Sequence, residues 1–178
     1  MNKIYIVLMR TNTFVEKGVR FFTRYQYGHV AISLNKDCKS LYSYGRRKVH
    51  SILFGGFTEE KQDGPFFTYF NKAECKIYEL EVSDEQYKKM VDIINEMKNN
   101  MKKYRYDYLG IVLRYFRIPI SFKNKFVCSS FVGYALDNAK IHKFNKKISF
   151  VRPKDIEEIN ELKEIYSGLY RDYNNANN

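Results

Sequence analysis

The stretch that decides the fold is Phe126-Val-Cys-Ser-Ser-Phe-Val-Gly-Tyr-Ala-Leu136, in which a cysteine opens a run of apolar residues at helical spacing. This pattern predicts a core helix with Cys128 at its N-terminus. The helix dipole and the first-turn N–H groups stabilise a thiolate there, and the same groups can hold a developing oxyanion. Cys128 is therefore the candidate nucleophile. The alternative is a small buried apolar residue, a common role of free cysteine.

Upstream, Gly28-His-Val-Ala-Ile-Ser-Leu34 predicts a strand that starts at His29. A polar turn at residues 35–37 and a second strand at residues 41–44 complete a hairpin. At the end of the sheet, the imidazole of His29 could approach the helix that carries the cysteine and act as its base. The alternative is a surface or capping histidine.

A third group should hold the imidazole in its orientation. The partner strand offers Ser43 as the small polar candidate, since it alternates with two tyrosines along the strand. The alternative is a strand serine that simply faces outward.

The rest of the chain supplies strands and helices around this pair. Residues 54–70 contain three Gly and one Pro among aromatics, and we expect a long loop or a site there. An antiparallel sheet packed against helices is an α+β fold. We expect one domain over residues 1–173 and a disordered tail at residues 174–178. The other predicted elements are strands at residues 4–9, 75–82 and 165–173 and helices at residues 14–25, 84–101, 106–116 and from residue 153.

The net charge is +11, from 31 basic and 20 acidic residues. Such a surplus favours anionic partners, and an anionic cell-wall polymer or a membrane surface are the candidates. A nucleic-acid partner is not expected, because no nucleic-acid-binding motif is present. The alternative is a lysine-rich, solvated surface with no partner. The oligomeric state is left open.

Three cysteines at irregular spacing predict neither a disulfide framework nor a metal site, and we expect no metal and no cofactor. Cys38 and Cys75 are interpreted as structural. The apolar run at residues 4–9 is too short for a secretory signal and no long apolar stretch follows, so the default location is the cytoplasm, with release by lysis or by a phage as the alternative.

The order of these elements, with a Gly-His strand first and Phe-Val-Cys-Ser-Ser-Phe-Val at a helix start last, resembles the circularly permuted papain-like amidases of the NlpC superfamily. The bacterial YiiX-like and YycO-like proteins are the most similar group. Further short matches are Tyr106-Asp-Tyr-Leu109, Arg152-Pro-Lys-Asp155 and Ile165-Tyr-Ser-Gly168.

The resemblance implies a papain-like fold with Cys128 as nucleophile, His29 as base and Ser43 as orienting residue. It also implies that Tyr106 contacts substrate, the alternative being a core aromatic. The third position departs from the family, where Glu, His, Asn or Gln is frequent.

The implied activity is a cysteine hydrolase, an amidase or peptidase, that cleaves an amide of a cell-wall peptide or an ester through an acyl-enzyme. The alternatives are a thioesterase or acyltransferase for lipid or acyl groups, and a catalytically silent binding module on the same fold.

Overall fold

The structure is a computed structural model that describes residues 1–11, 25–48, 51–116, 118, 120 and 122–174. Within these residues lie one eight-stranded sheet, five α-helices and two 3-10 turns. The strands are β1 (Asn2–Arg10), β2 (His29–Ser33), β3 (Ser40–Lys48), β4 (Ser51–Lys61), β5 (Glu74–Val82), β6 (Arg105–Tyr106), β7 (Lys125–Phe126) and β8 (Lys163–Leu169). The helices are α1 (Pro65–Tyr69), α2 (Asp84–Asn99), α3 (Tyr108–Tyr115), α4 (Cys128–Asn138) and α5 (Pro153–Glu157), and the 3-10 turns are Ile148–Phe150 and Tyr170–Asp172.

The strand order across the sheet is β7-β6-β4-β3-β2-β1-β5-β8. Described neighbours are antiparallel except β6 and β7, which run parallel. The α+β class is confirmed, and so is the antiparallel pairing of β2 with β3. The sheet is mixed rather than wholly antiparallel, because α3 connects β6 to β7 and a helical crossover lets the chain return in the same direction.

Strand β1 is covered on both faces. Its even-numbered side chains from Ile4 to Leu8 pack into a first cluster with α2 and α4. Its odd-numbered side chains from Tyr5 to Met9 pack into a second cluster with α1 and the C-terminal 3-10 turn. A strand buried on both faces has a continuous apolar sequence, which explains the unbroken run at residues 4–9.

The long loop expected at residues 54–70 is wrong, because β4 extends to Lys61 and α1 follows it. The glycines that suggested a loop allow close packing within the sheet. A Cβ on Gly55 would lie 2.8 Å from the Cβ of Tyr106, and one on Gly56 would lie 2.4 Å from the carbonyl oxygen of Tyr104.

Two predictions fall on residues that the structure leaves undescribed. The helix expected at residues 14–25 lies outside the described residues except for Tyr25, and the expected tail lies outside them except for Asn174. Among the described helices, none combines the length and the hydropathy that a bilayer-spanning segment needs.

Candidate active site

Cys128 is the first residue of α4, which confirms its predicted place at a helix N-terminus. The N–H groups of a first helical turn have no acceptor within the helix and point outward along its axis. Ser130 closes the turn, because its Oγ accepts a hydrogen bond of 3.0 Å from the N–H of Val127, just before the helix. Ser129 fixes the helix start to the rest of the fold by donating from Oγ to the Val151 carbonyl at 2.6 Å.

Helix α4 packs against β2 and β3, the two strands that carry His29 and Ser43. The Cys128 side chain belongs to the first cluster and its residue is 7 % exposed. His29 lies on the other face of β2, since the next residue along the strand, Val30, packs in the first cluster. His29 is also the first residue of β2. Its ring therefore stands at the strand end, and a contact between thiol and imidazole has to pass around that end.

Glu60 is the residue next to the imidazole that sequence reasoning missed. It lies near the end of β4, and its Oε2 is 3.9 Å from Nε2 of His29. The two side chains are 6 % and 16 % exposed, respectively. Among the described residues, neither of these two atoms has a hydrogen-bond partner. A small movement of either side chain would bring them into hydrogen-bond distance, and apo active sites are often loose in this way.

Gly45 makes room for this pair. A Cβ at that position would lie 3.3 Å from Oε1 of Glu60 and 3.8 Å from Cε1 of His29. The backbone of β3 therefore forms one wall against both the carboxyl and the ring.

Burial sets the charge of the pair. It lowers the pKa of His29 to about 4, with the positive charge of Arg46 acting in the same direction. It raises the pKa of Glu60 to about 7, and Arg46 opposes that shift. Arg46 itself lies over the rings of Phe70 and Phe66, at 5.5 and 6.0 Å from their centroids. The imidazole is therefore neutral around neutral pH and able to accept a proton.

Ser43 is buried on the same face of the sheet as His29, as predicted. Its hydroxyl donates a hydrogen bond of 2.7 Å to the carbonyl of Val30. This bond joins β3 to β2, and it uses the hydroxyl proton of Ser43 for a backbone acceptor. That Ser43 orients the imidazole stays a prediction, and Glu60 is a second candidate for that role.

Tyr106 lies on β6, partly buried against the first cluster, and its ring centroid is 4.7 Å from that of Tyr108. Its contact with substrate stays a prediction. The other two cysteines, Cys38 and Cys75, are buried in the second cluster. Burial raises the pKa of Cys38 to about 12 and also raises that of Cys75, so both remain protonated thiols.

The inward orientation of Glu60 follows from the sequence only once residues 51–61 are known to form a strand. Once residues 51–61 form a strand, Glu59 and Glu60 must face opposite sides of it. Glu59 forms an ion pair of 2.7 Å with Lys98, and Glu60 faces inward. In the described part of the chain, no cluster of three or more His, Cys, Asp or Glu side chains is arranged to hold a metal ion.

The structure has a cysteine at a helix start on one face of β2 and, on the other face, a neutral imidazole beside a buried carboxyl, with an arginine over two aromatic rings. Thiol acyl transfer uses a cysteine nucleophile, a neutral base and a group that orients the base. A comparison of the chain with protein-family models finds no match, and a comparison with curated proteins finds none of significant similarity.

Proposed function

We propose that this protein is a cysteine hydrolase that cleaves an amide or ester bond through an acyl-enzyme on Cys128, with His29 as base. The observation that carries the proposal is the buried pair of His29 and Glu60 at the start of β2, the strand whose other face is covered by the helix headed by Cys128. Burying two polar groups beside each other is costly unless they are used or paired, and titratable groups of this kind concentrate at active sites.

The chain order supports a permuted papain-like fold. The histidine strand comes early, the cysteine helix comes late, and the helix lies on the sheet that carries the histidine. This is the order that the resemblance to the NlpC superfamily implies. In this proposal Glu60 on β4, rather than Ser43 on β3, orients the imidazole.

The proposed chemistry moves one proton in each direction. His29 accepts the thiol proton from Cys128 while the sulfur bonds to the substrate carbonyl carbon, and N–H groups of the first turn of α4 hold the oxyanion. Collapse of this intermediate breaks the bond to the leaving amine or alcohol, which takes the proton back from His29. Water then hydrolyses the thioester and releases the acid.

Glu60 selects the tautomer of the base in this proposal. When Nε2 of His29 carries the proton and faces the carboxyl of Glu60, Nδ1 has the lone pair that can accept from the thiol. As the ring becomes positive during attack, an ionised Glu60 at 3.9 Å stabilises it. Peptide amides are the first substrate class we propose, and lipid or acyl esters are the second.

An acyl-enzyme can be trapped directly. We would incubate the protein with p-nitrophenyl acetate and map acetylated peptides by mass spectrometry. A single acetyl group on Cys128, removable by hydroxylamine, and a loss of roughly a hundredfold in the acylation rate in His29→Ala are expected. Cys75→Ala is the matched control and should acylate like the parent protein.

Acetylation that is distributed over lysines, or an equal rate in His29→Ala, would contradict the hydrolase. The fold would then be assigned to a binding module without catalysis.

A further inference from the structure

A short segment around α3 presents an unusual apolar surface. Of the eight large hydrophobic side chains that are exposed among the described residues, six lie between residues 108 and 120. Contiguous exposed apolar surface on a folded protein marks an interaction site. The six side chains are Tyr108, Leu109, Val112, Phe116, Ile118 and Ile120, and we call them the α3 ridge.

The ridge is built into the fold. Asp107 is buried and its Oδ1 accepts a hydrogen bond of 3.0 Å from the N–H of Gly110, which starts α3. Leu109, Val112 and Phe116 follow at spacings of three and four residues and so share one side of the helix. The helix also packs against the Ile148–Phe150 turn. Beyond the helix the chain turns back with a hydrogen bond of 2.9 Å from the Ile118 N–H to the Leu113 carbonyl.

Positive charge flanks the ridge along the sequence. Between Met97 and Leu136 the sequence has eight Lys or Arg residues and one acidic residue, the buried Asp107. Arg105 and Lys125 are exposed register partners on β6 and β7, at the edge of the sheet. Like charges side by side on neighbouring strands repel each other, so this edge gains stability from an anionic partner.

We propose that the α3 ridge docks on an anionic lipid bilayer, with its apolar side chains entering the headgroup boundary and Arg105, Lys123 and Lys125 facing anionic headgroups. Apolar anchoring combined with basic flanks is the pattern of interfacial membrane binding. A second copy of the chain would bring the same cationic edges together. Nucleic acid offers phosphates but no partner for exposed Leu, Val and Ile side chains. This proposal does not depend on the chemistry of Cys128.

Vesicle sedimentation tests the proposal with the full chain. One vesicle type is phosphatidylcholine alone and the other is an equimolar mixture with phosphatidylglycerol. We expect binding to the mixed vesicles that weakens as salt rises, and little binding to the neutral ones. Each basic residue near an anionic surface strengthens binding about fivefold, so Lys123→Gln with Lys125→Gln should weaken it roughly 25-fold.

The apolar part of the ridge is tested by Leu109→Ser with Val112→Ser, for which we expect a loss of about tenfold. Matched controls are Tyr69→Ser for exposed apolar surface and Lys36→Gln with Lys39→Gln for exposed charge. Both controls should bind like the parent protein, and unchanged melting temperatures show that all variants are folded.

Equal binding by the serine variant and the parent would overturn the proposal in favour of general electrostatic adsorption. Absence of binding to mixed vesicles at low salt would overturn it as well. A concentration-dependent dimer that Leu109→Ser with Val112→Ser abolishes, without vesicle binding, would assign the ridge to a second copy.

Discussion

The carboxyl of Glu60 and the imidazole of His29 face each other at 3.9 Å, Oε2 to Nε2, in a buried part of the sheet. A neutral imidazole with a protonated carboxyl contains the same number of protons as an imidazolium with a carboxylate. Burial favours the two neutral forms over the two charged ones. Burial therefore lowers the pKa of the imidazole and raises that of the carboxyl.

The first prediction concerns stability against pH. The pKa of His29 falls to about 4 on folding from a usual 6.5. Its contribution to the free energy of unfolding is therefore complete above pH 6.5 and is lost as pH falls towards 4. The pKa of Glu60 rises to about 7 from 4.5, so its contribution is complete below pH 4.5 and is lost as pH rises through 7. Between pH 4.5 and 6.5 the two slopes oppose and cancel.

Single substitutions should separate the two dependences of the free energy of unfolding on pH. Relative to the parent protein, Glu60→Gln should gain stability as pH rises from 4.5 to 7, and His29→Gln should lose it as pH rises from 4 to 6.5, each by up to about 3 kcal/mol. Urea unfolding at a series of pH values measures this. Glu81→Gln, an exposed strand position on β5, is the control and should follow the parent. Parallel curves for all four proteins would show that the pair is not buried as described.

The second prediction separates Ser43 from Glu60. Ser43→Ala leaves the Val30 carbonyl without its 2.7 Å hydrogen bond, so we expect a destabilisation of about 1–3 kcal/mol. Its acylation rate should stay within about threefold of the parent, whereas Glu60→Ala should lose about tenfold or more because the ring is no longer held. Acylation with p-nitrophenyl acetate at matched folded fractions measures both. A larger loss of acylation rate in Ser43→Ala than in Glu60→Ala would show that Ser43 orients the imidazole.

The third prediction uses the space left by Gly45. In Gly45→Ala the new Cβ at 3.3 Å from Oε1 forces the Glu60 carboxyl to shift by a few tenths of an ångström. We expect the acylation rate to fall several-fold, with a stability change of about 1 kcal/mol or less. Gly133→Ala is a matched control, since its Cβ would be equally close, 3.3 Å, to the Val151 side chain. A rate loss in Gly133→Ala as large as that in Gly45→Ala would mean that crowding anywhere in the fold has this effect.

The helix start at Cys128 and the strand start at His29 could be predicted from sequence, because apolar periodicity fixes both locally. The α+β class followed from the same patterns. The position of Glu60 beside His29 could not be predicted, because Gly55 and Gly56 give this segment the composition of a loop. Their close packing on Tyr106 and Tyr104, which explains the glycines, is a long-range contact.

The β2 strand illustrates a second limit of local patterns. The sequence indicated that His29 begins a strand, but which face it takes depends on what packs against Val30, and α4 supplies that contact from a hundred residues downstream. The mixed character of the sheet has a similar origin, since β6 and β7 have two residues each and pair through a crossover.

The dyad of Cys128 and His29 is tested most directly by the rate of alkylation by iodoacetamide at each cysteine as a function of pH, read by peptide mapping. We predict that Cys128 reacts with an apparent pKa below the roughly 8.5 of a free thiol, because the helix N-terminus stabilises the thiolate and a thiolate beside His29 stabilises the imidazolium that takes its proton. Cys38 and Cys75 should stay unreactive over that range, since burial raises the pKa of both thiols. In His29→Ala the Cys128 profile should shift to higher pH, while the helix N-terminus keeps part of the effect. Superimposable Cys128 profiles for the parent protein and His29→Ala would contradict the dyad.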